Sequence, residues 1–219
     1  KILSLSHNEA QQQRIVNELI HHMVDLNIES FEDVIDNYVN TRGIEKAITH
    51  IIFPFLERIG MLWLTNHIIA GQEHLVTNVI RQKLIVGIEN TISYVKINKC
   101  ALLFLPEGEH HELGLLFINY ILKSRGVKIL YLGASVPVSD IGYIAKHKKP
   151  DLLFTHITAV TQNFNMEKFF AKLHSAIPSL PVIVSGQFTR IYKKKTPANI
   201  YLKKSLAEVH DFVASFRNS

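Results

Sequence analysis

Two short stretches hold residue types at spacings that could do chemistry. In Glu109-His110-His111-Glu112-Leu113-Gly114 a carboxylate stands two residues before an imidazole, and a glycine follows three residues after it. Neutral imidazole is a good ligand for a borderline metal, and a carboxylate at that separation can hold the other ring nitrogen and fix the tautomer. Gly114 lets the backbone pass close to a bulky group. The plain alternative is a solvated loop with two surface histidines. In the second stretch Trp63 is followed, after nine residues, by Glu73-His74. An indole offers a large flat apolar surface, and a carboxylate accepts hydrogen bonds from hydroxyls. Each also has an ordinary use, Trp63 as a bundle core residue and Glu73 as a solvated helix start.

The elements that must position these residues differ between the two halves of the chain. Up to residue 96 the apolar residues follow a helical period: Ile15 to Leu26, then Phe31 to Val39 with Ser30 as the expected cap, then Ile44 to Trp63 with a kink expected at Pro54. A fourth helix is expected from about Gln72, after a turn over residues 65–71. Short connections between four helices predict an antiparallel four-helix bundle. From Cys100 onward, short apolar runs alternate with helical patterns. Strands are expected near 100–105, 127–132, 151–158, 181–185 and 199–202, and helices near 112–124, 138–148, 166–177 and 205–216. That alternation defines an α/β fold, a Rossmann-type five-stranded parallel sheet of the flavodoxin-like kind. The expected domains are therefore 1–96, all-α, and 97–219. His111 would sit at the carboxyl end of the first strand, where open α/β sheets bind ligands.

Read as Glu-x-His-x-x-Gly, the loop resembles the Asp-x-His-x-x-Gly signature of cobalamin-binding proteins. The resemblance implies that His111 is the lower axial ligand of cobalt. The family's second and third signature parts, Ser-x-Leu and Gly-Gly, fall here on His156-Ile157-Thr158 and Ser185-Gly186. Gly186 keeps one glycine and Ser185 is small, so passage of a nucleotide tail is implied. His156 stands where the family has a serine that contacts the buried dimethylbenzimidazole; Thr155 or Thr158 could supply that hydroxyl. The other reading of His156 is a core histidine satisfied by a neighbour. Trp63, Glu73 and His74 resemble the helical signature of light-responsive, CarH-like regulators of the MerR family, in which the bundle lies over the upper face of adenosylcobalamin. One residue departs from that pattern. The histidine that follows the tryptophan in light-responsive members is Leu64 here.

The totals set outer bounds. The chain has 219 residues, a net charge of +5 and one cysteine, Cys100. An internal disulfide is thereby excluded, and a reducing cytoplasm is the natural compartment. No single apolar run is long enough to span a bilayer, and no signal-peptide pattern opens the chain. The remaining histidines show no partner at metal-ligand spacing. Lys193-Lys194-Lys195 with Arg190 and Tyr192 forms a small basic patch, read as a solvated loop. No Walker loop, GxSxG or HExxH pattern marks an enzyme.

The resulting expectation is a cobalamin-binding sensor domain of a MerR-type regulator. The resemblance implies adenosylcobalamin as cofactor, a homo-oligomer (dimer or tetramer), light as a signal, and DNA contact only through a domain expected upstream of Lys1. Two alternatives stand beside it: a corrinoid carrier that passes methyl groups between methyltransferases, and a dimerisation module without cofactor.

Overall fold

The computed structural model describes residues 2–93, 95–159 and 164–218. The chain divides into two compact units, Lys1–Gly87 and Ile88–Ser219.

The first unit is helical. It contains α1 (Ile2–Val24), α2 (Ile28–Arg42), α3 (Ile44–Ala47), a π turn (Ile48–Ile52), α4 (Phe53–Leu64) and α5 (Ala70–Glu89). Its core is made by Leu19, Met23, Phe31, Ile35, Ile48, Ile51, Phe55 and Ile80, all buried. The Phe31 and Phe55 rings lie 5.4 Å apart at 59°, a tilted aromatic pair. At Gly87 a β-carbon would stand 2.1 Å from Ile44 Cδ1, so a larger residue there would make the Ile44 side chain shift.

Local chemistry sets the helix ends, in places differently from expectation. Asn27, not Ser30, caps α2: its side chain accepts from the Ser30 amide at 3.2 Å. Ser6, whose spacing to Glu9 is that of a capping box, lies within α1 rather than at its start. Gly71 falls inside α5, which begins at Ala70. Pro54 occupies the first turn of α4, immediately after the π turn. Proline has no N–H, and its ring crowds the carbonyl four residues back. The widened turn over Ile48–Ile52 absorbs that conflict. Contrary to the expectation from the sequence, helix α3, the π turn and α4 join into a run, Ile44–Leu64, that is long and apolar enough to cross a membrane by length and composition alone. Its buried residues Ala47, Ile48, Ile51, Ile52, Phe55 and Ile59 recur at helical spacing and face the core of the unit.

The second unit is a parallel sheet with helices. Strands β1 (Cys100–Pro106), β2 (Lys128–Val136), β3 (Leu152–His156), β4 (Val182–Ser185) and β5 (Ile200–Leu202) alternate with α6 (Leu113–Ser124), α7 (Val138–Lys148), α8 (Met166–Ala176), α9 (Gln187–Ile191) and α10 (Leu206–Asn218). The strand order is β2-β1-β3-β4-β5, and every adjacent pair is parallel. This is the expected flavodoxin-like order. Ala101 to Leu105 are all fully buried, as a central parallel strand requires.

Strand β2 runs four residues beyond its expected end. Gly133 and Ser135 adopt positive φ, at 80° and 56°, and the β1–β2 register shifts twice beside them. A Gly-Ala-Ser sequence reads as a turn; here it bends a strand that continues. The segment after Gly186, the least patterned of the sequence, forms the short α9.

Candidate functional site

The order of the sheet places β1 between β2 and β3, so the chain leaves β1 and β3 toward opposite edges, and a crevice opens at their carboxyl ends. The loop after β1 carries Glu109 and His111; the loop after β3 carries Thr158 and Ala159.

Glu109 joins the two loops. Its side chain is fully buried. One carboxylate oxygen accepts from the amides of His110 and His111, each at 2.9 Å, and from His111 Nδ1 at 2.6 Å. The other accepts from the amides of Thr158 at 3.0 Å and Ala159 at 2.9 Å. Burial alone pushes this carboxyl up. The hydrogen bonds from the His111 ring and amide and from the Ala159 amide, with the charge His111 carries whenever it is protonated, outweigh that effect and hold it below the ordinary glutamate value. Glu109 is therefore a carboxylate, and His111 Nδ1 carries the proton it shares with Glu109. In the neutral imidazole the lone pair is thereby held on Nε2, the tautomer a metal would need. The His111 side chain is 60% exposed while Glu109 is 0% exposed, so the imidazole stands at the surface on a buried anchor.

Strand β2 braces this loop from its other side. The Ser135 amide donates to the Glu109 carbonyl at 3.1 Å, and Ser135 Oγ accepts from the Gly108 amide at 3.1 Å. Tyr131 donates to Glu112 at 3.2 Å. Sequence reasoning missed Ser135, because its role depends on a positive φ that a serine rarely adopts.

The second and third signature parts meet at one histidine. His156 ends β3 opposite Ser185 of β4, and His156 Nδ1 lies 2.8 Å from Ser185 Oγ. Its ring also fills the space above Gly114: a β-carbon there would fall 2.3 Å from both Cδ2 and Nε2. Burial pushes the His156 imidazole down to about 4, although the Glu109 charge works against that. His156 is neutral at pH 7. Thr158 joins through its amide. Gly186, at φ 102°, is also tightly confined, since a β-carbon would stand 2.3 Å from the Ile157 carbonyl oxygen. Beside His156, the buried Thr155 Oγ1 finds no partner among the described residues.

The helical candidates are arranged differently. Trp63, one residue from the end of α4, is 47% exposed, and Leu64 is 81% exposed. Trp63 is therefore not a core residue of its unit. Met61 and Ile69 are exposed beside it in the chain. Glu73 and His74 lie in the first turn of α5, paired at 2.9 Å. His67 Nδ1 lies 2.8 Å from Thr65 Oγ1. Among the described residues, no group of three or more His, Cys, Asp or Glu side chains gathers to hold a bare metal ion.

Residues 15–86 match the family described as the B12 binding domain. Two repressors of Myxococcus xanthus are relatives of the chain. The HTH-type transcriptional repressor CarH is 30% identical over 162 residues, 74% of this chain and 54% of CarH. The HTH-type transcriptional repressor CarA is 27% identical over 164 residues, 74% of this chain and 54% of CarA. The chain thus spans about half the length of the curated relatives it matches. The Methanosarcina barkeri monomethylamine corrinoid protein shares the fold, with a TM-score of 0.71 at 16% identity, over 93% of this chain and 99% of that one.

Proposed function

We propose that the chain is a cobalamin-binding sensor that controls transcription, with His111 as the lower ligand of cobalt. The Glu109–His111 pair carries this reading. An imidazole set at the surface by a buried carboxylate, with its second nitrogen protonated, is the donor a corrinoid cobalt takes in place of its own base. The match of residues 15–86 to the B12 binding domain family and the relationship to CarH and CarA support it.

In this reading Glu109 holds the proton at His111 Nδ1 and keeps the ring oriented. Trp63 offers an apolar plane to an upper adenosyl group, and Glu73 accepts from ribose hydroxyls. Bound adenosylcobalamin would supply a light-sensitive cobalt–carbon bond. Leu64 has no lone pair, and the His67 and His74 imidazoles are engaged by Thr65 and Glu73. Illumination is therefore expected to leave water above cobalt in the wild type and a second histidine only in Leu64→His. A stable bis-histidine absorption spectrum in the illuminated wild type would refute that. Assembly into dimers or tetramers, and DNA contact through a further domain, complete the proposal. A ligand that binds one assembly state more tightly shifts the population toward it.

The central test is absorption spectroscopy of the desalted protein after mixing with cobalamins. Wild type should retain cofactor with its own base displaced, and His111→Ala should bind weakly. An unchanged spectrum and affinity in His111→Ala would end the assignment. The corrinoid-carrier alternative shares the sheet fold, but the Trp63, Glu73 and His74 pattern favours the sensor.

A further inference from the structure

We propose that His156 is a specificity-determining residue that closes the crevice beside His111, so the chain accepts corrinoids without seating their lower nucleotide base in the sheet unit. The inference rests on the corrinoid reading above and concerns which corrinoids that site takes.

In free cobalamin the lower face of cobalt is met by a benzimidazole tethered to the macrocycle through a nucleotide loop. If His111 takes that place, the base is displaced but stays tethered on the same face. The crevice adjoining His111 is the switch point between β1 and β3. A flat bicyclic base needs a slot there, lined by small residues. Two small residues do line it, Gly114 at the start of α6 and Gly186 after β4, but both spaces are occupied by the chain's own atoms. The His156 ring stands over Gly114, with a hypothetical β-carbon only 2.3 Å from its Cδ2 and Nε2. The Ile157 backbone stands against Gly186, with the corresponding distance to its carbonyl oxygen also 2.3 Å.

The ring is also fastened. Its Nδ1 is 2.8 Å from Ser185 Oγ, and Ser185 is itself buried. Behind it, Glu109, Thr155 and Ile157 are fully buried, so the ring has no space to withdraw into the sheet. Opening the slot requires breaking the Ser185 contact and turning the imidazole out. The displaced base is therefore left outside, where its presence or absence matters little to affinity.

The test is a pair of equilibrium titrations followed by absorbance, with aquacobalamin and with diaquacobinamide, which lacks the nucleotide and its base. Wild type should bind cobinamide at least as tightly as cobalamin. In His156→Ser the crevice opens, and the affinity ratio should move at least tenfold toward cobalamin. His156→Asn, shorter but still able to bond Ser185, should move the ratio the same way and serves if the serine variant does not fold by circular dichroism. Wild type binding cobalamin tenfold or more tighter than cobinamide would overturn the proposal. So would folded His156 variants whose ratio stays at the wild-type value. If wild type bound neither corrinoid, the corrinoid reading would fall, which is a different result.

Discussion

The two units hold their candidate residues in opposite ways. In the sheet unit, residues from the β1 and β3 loops converge on one buried carboxylate, and Glu109 collects five donors. In the helical unit, Trp63 is half exposed, and Glu73 and His74 bond each other. The first arrangement is preorganised: little changes there when a ligand arrives. The second leaves Trp63 and Leu64 exposed at the end of α4 and Glu73 and His74 paired in the first turn of α5. A large apolar side chain at the surface loses nothing by being covered, so such residues suit contact with something outside the unit.

The largest effect should come from removing the anchor. Glu109→Ala takes one shared acceptor away from four backbone amides and the His111 ring, two of those amides on a second loop. A loss of at least about 3 kcal/mol is expected by urea denaturation, because several donors lose one shared buried acceptor together. His111→Ala should cost under about 1 kcal/mol, because its side chain is 60% exposed. If the two variants were equally stable, the contrast between anchor and ligand would collapse.

The next effect is a pH dependence. His156 titrates near 4 in the folded chain against 6.5 when unfolded, so below 6.5 the unfolded chain binds the extra proton. Stability contributed by the neutral ring is fully present above pH 6.5 and falls as the pH drops toward 4, by up to about 3 kcal/mol. Glu109 adds a loss of the same sign, confined to the acid range below the ordinary glutamate value. Chemical denaturation at several pH values should show the decline from pH 6.5, and His156→Asn should remove that upper part of it. A flat profile between pH 6.5 and 5 in the wild type would show that the ring is solvated.

Trp63→Ala should barely change unfolding but reduce the preference for adenosylcobalamin over methylcobalamin by roughly tenfold, about 1.4 kcal/mol. Equal loss for both cofactors would assign Trp63 a general packing role, and the distinction between the units would need redrawing. The smallest expected effect is within the helical unit. Lys83 of α5 bonds Asp36 at 2.7 Å and Glu32 at 3.0 Å of α2. These carboxylates are 42–47% exposed, so Lys83→Met should cost only about 0.5 kcal/mol and less at high salt. A loss of several kcal/mol would mean that this unit too depends on a polar anchor.

The period of the apolar residues made the helical half and the α/β alternation legible, because the two geometries bury side chains at different intervals. Glu109-x-His111 was legible for a similar reason: a contact two residues apart needs little of the tertiary fold. Ser30, expected to cap α2, instead donates its amide to Asn27, since many polar residues can cap and only the path of the chain selects one. The second half of the Glu109 clamp was hidden. It comes from backbone amides of Thr158 and Ala159, and amides leave no mark in residue type. Ser135 was hidden because its part follows from a positive φ imposed where β2 bends.

His156 shows the division most clearly. By itself, the sequence determined that an imidazole stands where a small hydroxyl residue was expected, some forty-five residues after His111. Either reading, a satisfied core histidine or a group facing a ligand, agreed with that. Only the tertiary structure decided where the ring goes, because strand pairing sets His156 beside Ser185 and packing of α6 sets Gly114 beneath the ring. Three segments distant in sequence meet at that ring, and no local spacing encodes their meeting.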